Sequence, residues 1–112
     1  MKKNMTNDEI YSLAVGFYND FNGDMKLPVK VGFYLIKNKN YFIKLGKEID
    51  EKRAEIRSRC AQDQDRAYTE LKELSEIRRE VSFYQVDLKD FGDLNLSLRE
   101  LEILEFMIKE EE

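Results

Sequence analysis

The spacing of apolar residues predicts an amphipathic helix near the start of the chain. Thr6 and Glu9 have the spacing of a capping box, in which a hydroxyl and a carboxylate satisfy amides of the first helical turn. After Glu9, apolar side chains recur three and four residues apart, as they do on one buried helix face. Gly23 suits the left-handed conformation that ends many helices. We therefore predict a helix over residues 6–22.

A seven-residue repeat predicts a much longer second helix. Pro28 fits the first helical position because it has no amide to leave unpaired. The alternative for residues 31–45 is a β-hairpin, since two aromatic-rich runs flank the polar stretch 37–40. The repeat runs unbroken through that stretch, which favours one helix over 28–61. The repeat places six side chains on one line, which we name the heptad seam: Leu35, Asn38, Phe42, Leu45, Ile49 and Ile56.

Beyond the long helix, the pattern predicts a turn, a shorter helix and a change to strand periodicity. Apolar spacing indicates a helix over 66–78. The residues that follow are rich in β-branched and aromatic side chains in alternation, which indicates a strand over 80–86. Leu94 and Leu96 are typical of a second short strand. We therefore predict a short strand or a β-ribbon near 80–96.

A second capping box marks the start of the last helix. Ser97 and Glu100 have the required spacing, and leucines in helical register follow, so we predict a helix over 98–109. These elements form a single domain over residues 1–112. The predicted fold is mainly α: a long helical hairpin with an N-terminal helix, a short strand or β-ribbon and a C-terminal helix.

Composition limits the kinds of partner that the protein could have. The 112 residues are 42% hydrophobic and 38% charged, which is typical of one domain with a modest core under a charged surface. The net charge of −4 gives little attraction to phosphates, so nucleic acid is not expected as a partner. No stretch approaches the roughly 18 apolar residues of a membrane span. We expect a cytoplasmic protein without a membrane partner.

The side-chain inventory argues against catalysis, metals and cofactors. The chain has no histidine, which is the commonest general base and the commonest metal ligand. Cys60 is the only cysteine, which excludes an intrachain disulfide, and we interpret it as an inert thiol with no base nearby. Acidic pairs such as Asp63 and Asp65 lie in polar surroundings, which indicates solvated charge. We therefore predict a protein with no enzymatic activity, no metal and no cofactor.

The length of the second helix raises the question of what covers the heptad seam. A helix over 28–61 extends about 50 Å, whereas a compact domain of this size has a radius of gyration of about 13 Å. The helix predicted over 66–78 can cover little more than a third of that length. We predict a homodimer or higher symmetric oligomer, with the six seam residues in the interface and Asn38 fixing the register. The alternative, in which one chain fills its own seam, stays open.

Basic residues concentrate near the predicted turn between the two arms of the helical hairpin. Arg53, Arg57, Arg59 and Arg66 are candidate contacts for an anion or a protein partner. Acidic residues are interleaved with them, so the alternative is a tip whose charges pair with one another. Tyr68 alone could offer a stacking surface, which does not favour a nucleic acid.

Two stretches of sequence carry a resemblance to a known family. The first is "LPVKV" over residues 27–31, ahead of the long helix. The second is an ending of the form "E-V…L-S-x-x-E-L-x-x-L-E" over residues 80–105. Together with the order of elements over residues 6–109, they resemble a family of small proteins encoded by phages and prophages of Firmicutes. The resemblance implies a phage origin and a helical fold. That family has no assigned activity, so the resemblance assigns no site residue.

These observations lead to three functional hypotheses. The first is a non-enzymatic phage accessory protein that binds a host or phage protein in the host cytoplasm and inhibits a host factor. The second is a helper in the assembly or structure of the virion. The third is an oligomer that sequesters a small anionic ligand, such as a signalling nucleotide.

Overall fold

The computed structural model describes residues 1–21, 26–92 and 95–109. The fold is mainly α, as the sequence predicts. Its elements follow in chain order: strand β1 (Lys2–Thr6), helix α1 (Asn7–Asp20), helix α2 (Val29–Arg59), helix α3 (Gln64–Glu76), strand β2 (Arg78–Ser82), strand β3 (Val86–Asp87), helix α4 (Leu98–Leu104) and strand β4 (Ile108–Lys109). Short 3₁₀ turns lie at Leu88–Phe91 and at Glu105–Met107.

Helix α2 is the longest element and sets the shape of the molecule. It has 31 residues and passes through residues 31–45 without a break. The helix predicted there is confirmed, and the hairpin alternative is wrong. Pro28 is the N-cap residue and Cys60 the C-cap residue. The molecule measures 54 × 31 × 21 Å, and its radius of gyration of 16.5 Å exceeds the value of about 13 Å expected for a compact domain.

Helix α1 runs antiparallel along the middle of α2. The capping box predicted at Thr6 and Glu9 is formed. An added Cβ at Gly46 of α2 would lie 2.7 Å from the Cβ of Ala14, so the absence of a side chain allows the two helices to approach closely. The helix ends at Asp20, two residues before the predicted end, and the predicted stop at Gly23 lies outside the described residues.

Helix α3 folds back beside the second half of α2 and completes the helical hairpin. Its N-cap residue Asp63 accepts a hydrogen bond from the backbone N–H of Arg66 at 3.0 Å. The cap explains why the helix begins at Gln64 rather than at residue 66. The helix ends at Glu76, two residues earlier than predicted, because the backbone is extended from Ile77 onward and enters β2.

Two small sheets connect distant parts of the chain. β1 pairs with β2 in antiparallel register, with Lys2 opposite Ser82. β3 pairs with β4 in parallel register, with Val86 opposite Ile108. The strand predicted over 80–86 is therefore two separate strands, and each has its partner at an end of the chain.

Of the predicted short strand or β-ribbon near 80–96, the strand is present as β2 and β3, whereas these two strands do not pair with each other. Residues 95 and 96 have no regular structure, and residues 93 and 94 lie outside the described part of the chain. Alternation of side chains identifies a strand but carries no information about which strand lies beside it. Neither β1 nor β4 was predicted from the sequence.

The last helix begins where predicted but ends early. The Ser97 hydroxyl accepts from the Glu100 N–H at 3.1 Å, and the Glu100 carboxylate accepts from the Ser97 N–H at 2.9 Å. α4 ends at Leu104 rather than at residue 109. The chain turns there because Leu104 and Met107 are both fully buried, and the turn brings Ile108 to the edge of β3.

Candidate protein-binding surface

The six residues of the heptad seam lie inside the molecule. All of them are buried within one chain, between 0% exposed for Phe42 and 8% for Ile56. Rings from three separate segments surround Phe42: Phe17 of α1 at 6.2 Å, Phe83 at 6.3 Å and Phe106 at 5.3 Å. The chain therefore fills its own seam. Burial within one chain does not support the predicted interface between copies, and the homodimer or higher oligomer itself stays a prediction. The residues concerned are Leu35, Asn38, Phe42, Leu45, Ile49 and Ile56.

Asn38 has a different role from the predicted fixing of register between two chains. Its Nδ2 donates to the backbone carbonyl of Tyr84 at 2.9 Å, and its Oδ1 accepts from the Tyr84 N–H at 2.9 Å. The side-chain amide thus pairs with one residue as a neighbouring strand would. Asn38 is only 1% exposed, and a buried amide without hydrogen bonds would lower the stability of the fold. The two hydrogen bonds to Tyr84 avoid that cost. It fixes the segment between β2 and β3 against α2.

Two of the four candidate arginines pair with one carboxylate at the hairpin tip. Arg59 lies 2.9 Å from Oε1 of Glu70, and Nε of Arg66 lies 3.2 Å from its Oε2. The Cys60 thiol also donates to Oε2 at 2.9 Å. The hydrogen bond from the thiol and then that from Arg59 lower the pKa of Glu70. The hydrogen bond between the thiol and Glu70, together with burial, raises the pKa of Cys60. The raised pKa favours the protonated thiol, while the carboxylate beside it corrects the expectation that no base lies near Cys60.

The other two arginines lie apart from that cluster. The guanidinium of Arg53 stacks on the Tyr11 ring at 4.1 Å and lies 3.8 Å from Asp50. Arg57 is exposed. Three of the four predicted contact residues therefore interact with groups of the chain itself. This arrangement matches the alternative of a self-paired tip and gives no support to an anion site there.

The side of α2 opposite the heptad seam carries a second apolar line. Val29 is 90% exposed, Phe33 56% and Ile36 58%. Their spacing of four and three residues continues along the first part of the helix through the exposed Asn40 and the half-buried Ile43 to the exposed Lys47. We name this face the outer stripe: Val29, Phe33, Ile36, Asn40, Ile43 and Lys47.

The outer stripe lies in the basic part of an acidic protein. Six of the 19 basic residues and none of the 23 acidic ones lie between residues 26 and 47, which leaves 13 basic and 23 acidic residues elsewhere. Lys37 extends over the Phe33 ring at 5.4 Å. Lys44 and Lys47 are exposed. Lys30 lies 3.4 Å from Asp90, and this carboxylate offsets its charge. The positive charge along the outer stripe therefore comes from Lys37, Lys44 and Lys47.

A groove continues the outer stripe toward α1. It has a volume of about 370 Å³ and is lined mainly by apolar groups. Ile43 and Lys47 form one wall, while Val15 and Tyr18 of α1 form the other. Tyr18 is 74% exposed. The apolar surface therefore widens at the end of the outer stripe where Gly46 brings the two helices together.

The outer stripe has a signal in the sequence that differs from the one used for the heptad seam. Val29, Ile36 and Ile43 repeat every seven residues, and the charged residues around them are all lysine. Two sets of seven-residue spacings therefore coexist in one helix. Spacing alone does not distinguish them, because both sets place apolar residues on one line of the helix.

The described residues contain no group of three or more histidine, cysteine, aspartate or glutamate side chains that could hold a metal ion. Within the same ranges, no helix combines the length and the apolar character that crossing a membrane requires.

Comparison of the chain with known protein families, with curated proteins and with solved structures finds no match.

Proposed function

We propose that this protein acts by binding another protein through the outer stripe of α2, without catalysing a reaction. The observation that supports the proposal is the exposure of Phe33 and Ile36 on a helix whose opposite side carries the buried heptad seam. Moving an apolar side chain of this kind fully out of water contributes about 1.5–3 kcal/mol of favourable free energy. Because Phe33 and Ile36 are still partly in water, a partner that covers them would gain part of that free energy. Contiguous exposed apolar groups with a charged border are typical of protein interfaces.

The resemblance to phage and prophage proteins of Firmicutes gives this proposal its biological setting. A small chain without catalytic groups can alter a host only by occupying a surface of another molecule. We therefore propose a phage accessory protein in the host cytoplasm that inhibits a host factor by binding it. A virion helper and an oligomeric sponge for a small anion are the alternatives, and the self-paired arginines at the tip favour neither of them.

The absence of catalysis is part of the same proposal. Among the residues that the structure describes, the carboxylates with a clearly lowered pKa are Glu9 and Glu70, and hydrogen bonds explain both. Glu9 belongs to the capping box with Thr6, and Glu70 belongs to the tip cluster. Both are shifted toward the ionised form, whereas a general acid requires a raised pKa. These shifts therefore reflect structural roles.

The experiment that tests the proposal is capture from a Firmicutes cell lysate on the immobilised chain. The seam-facing core must stay intact, so the disrupting variant is Phe33→Glu with Ile36→Glu, both on the exposed stripe. The matched control is Tyr68→Glu, since Tyr68 of α3 is 71% exposed and lies outside the outer stripe. We expect a protein retained by the natural sequence and by the control to lose affinity about 100-fold or more with the double variant. Equal retention by all three would refute the proposed surface.

A further inference from the structure

We infer that the outer stripe binds an acidic amphipathic helix, laid along α2 as in a two-stranded coiled coil. This inference rests on the proposed function and specifies the partner. Two features of the stripe carry it, namely the spacing of its apolar residues and the sign of the charges beside them.

The spacing is that of a narrow helix-packing seam. Val29, Ile36 and Ile43 occupy one position of a seven-residue repeat, and the second position is held by Phe33, Asn40 and Lys47. Positions alternating by four and three residues form the line that one helix presents to another. From residue 29 to residue 47 the line extends about 27 Å at about 1.5 Å per residue. A partner helix of about three heptads would cover it.

The charges select an acidic partner and exclude a symmetric one. Lys37 and Lys44 flank the apolar line on one side, and Lys47 lies on it. In a coiled coil the flanking positions determine which helices pair, through attraction or repulsion. Two copies of this chain joined stripe to stripe would bring lysines together with no carboxylate from either stripe between them. A partner with glutamate or aspartate at its flanking positions would pair with each lysine.

The chain's own acidic helix cannot take this place. α4 carries Glu100 and Glu102 with Leu98 and Leu101 exposed beside them, so its chemistry is suitable. However, α4 has only seven residues, or about 10 Å at about 1.5 Å each, and covers about a third of the line. The occupant that fits is therefore a longer acidic helix of another protein.

A membrane surface or a nucleic acid fits the stripe less well. A helix that lies in a lipid interface presents a broad apolar face. The outer stripe is only one or two residues wide, and the polar Asn40 interrupts it. The same helix continues into Glu48, Asp50 and Glu51, which would repel an extended lipid or nucleic-acid surface, whereas an acidic partner helix that ends opposite Lys47 would not reach them. A polar Asn40 within an apolar line is instead a familiar feature of helix pairs, where it opposes another polar residue and fixes the register.

The test uses the full chain and three labelled synthetic peptides of about three heptads each. The acidic peptide has isoleucine and leucine on its seam, one asparagine, and glutamate at the flanking positions. The basic peptide replaces those glutamates with lysine, and the scrambled peptide keeps the acidic composition without the repeat. We expect fluorescence anisotropy to show binding of the acidic peptide at least about tenfold tighter than either of the others. Raising the NaCl concentration from about 50 to about 300 mM should weaken that binding.

A charge-reversal variant makes the test specific to the stripe. Lys37→Glu with Lys44→Glu should abolish the preference for the acidic peptide and create one for the basic peptide. The matched control is Lys3→Glu with Lys72→Glu, which changes the net charge equally at exposed sites outside the stripe. The control should keep the acidic preference. If both variants weaken binding alike, general charge attraction explains it and the inference fails.

Other outcomes separate this inference from the proposed function. If no peptide binds but capture from lysate still depends on Phe33 and Ile36, the proposed function stands and the helical acidic partner is wrong. If neither assay depends on them, both are wrong. Binding of phosphatidylglycerol vesicles or of a single-stranded DNA through the same lysines, without binding of the acidic peptide, would overturn the inference in favour of a polyanion. A stripe-dependent doubling of the mass in light scattering would overturn it in favour of a second copy.

Discussion

The two faces of α2 carry similar seven-residue spacings and have opposite environments. On the heptad seam, Ile49 is 2% exposed, whereas Ile36 on the outer stripe is 58% exposed. The difference lies in the borders and in the partners that the chain supplies. Lysines border the outer stripe, while α1, the segment around Phe83 and the turn at Met107 cover the seam. A heptad repeat thus shows that a helix has an apolar line, and the rest of the chain decides whether that line is core or surface.

The largest expected contrast comes from the same substitution on the two faces. Ile49→Asp places a carboxylate in the core and should cost about 4 kcal/mol or more of unfolding free energy. Ile36→Asp leaves its carboxylate in water and should change stability by about 0.5 kcal/mol. Urea unfolding followed by circular dichroism measures both. A folded Ile49→Asp protein with half the mass of the natural one in light scattering would show instead that the seam joins two copies.

Asparagine on each face gives a second, smaller contrast. Asn38→Ala removes both hydrogen bonds to the Tyr84 backbone and should cost about 1–3 kcal/mol. Asn40→Ala lies on the exposed stripe and should be close to neutral for folding. Hydrogen exchange at the Tyr84 amide should accelerate only in the Asn38 variant. Equal losses at the two positions would contradict the buried, paired role of Asn38.

Two glycines of α2 should respond to alanine with opposite signs. At Gly46 the new Cβ would meet the Cβ of Ala14 at 2.7 Å, and separating the helices should cost about 1–3 kcal/mol, partly offset by better helix propensity. At Gly32 the nearest group is Leu27 at 3.7 Å, an ordinary contact. Gly32→Ala should therefore stabilise the protein by about 0.5–1 kcal/mol. Thermal unfolding of the two variants distinguishes these outcomes, and stabilisation by both would refute the close approach at Gly46.

The smallest effect is expected at the tip, where the seam ends. The Cys60 thiol and the Arg59 guanidinium lower the pKa of Glu70 in the folded state. Its contribution to stability is therefore present above the unfolded pKa of about 4.3 and is lost as the pH falls through the folded value. The difference in stability between the natural protein and Glu70→Gln should be visible at pH 7 and disappear in acid. A difference that persists in acid would rule out the ionic role of Glu70.

Features that depend on neighbouring residues were predictable from the sequence. The capping boxes at Thr6 and Ser97 are both formed, and the repeat across residues 31–45 is helical. In each case the deciding interactions lie within a few residues of one another, so the local pattern contains the information.

The rest depends on contacts between residues far apart in the chain. Lys2 lies opposite Ser82, and nothing in either strand identifies the other. The burial of Phe42 depends on Phe83 and Phe106, which are contributed by later segments. For the same reason the candidate surface was missed. It could be located only after these segments were seen to cover one face of α2 and leave the other exposed.

The pairing of β1 with β2 imposes an order of events during synthesis. At about 5–20 residues per second, the first strand waits about 4–16 s until its partner has been made. Helices α1 and α2 can meet during that interval, but Phe83, Phe106 and Met107 are made later still. Until they arrive, Phe42 and Asn38 lack most of their cover. During those seconds the nascent chain therefore exposes apolar surface on both faces of one long helix, and such surface makes an incomplete chain prone to aggregation.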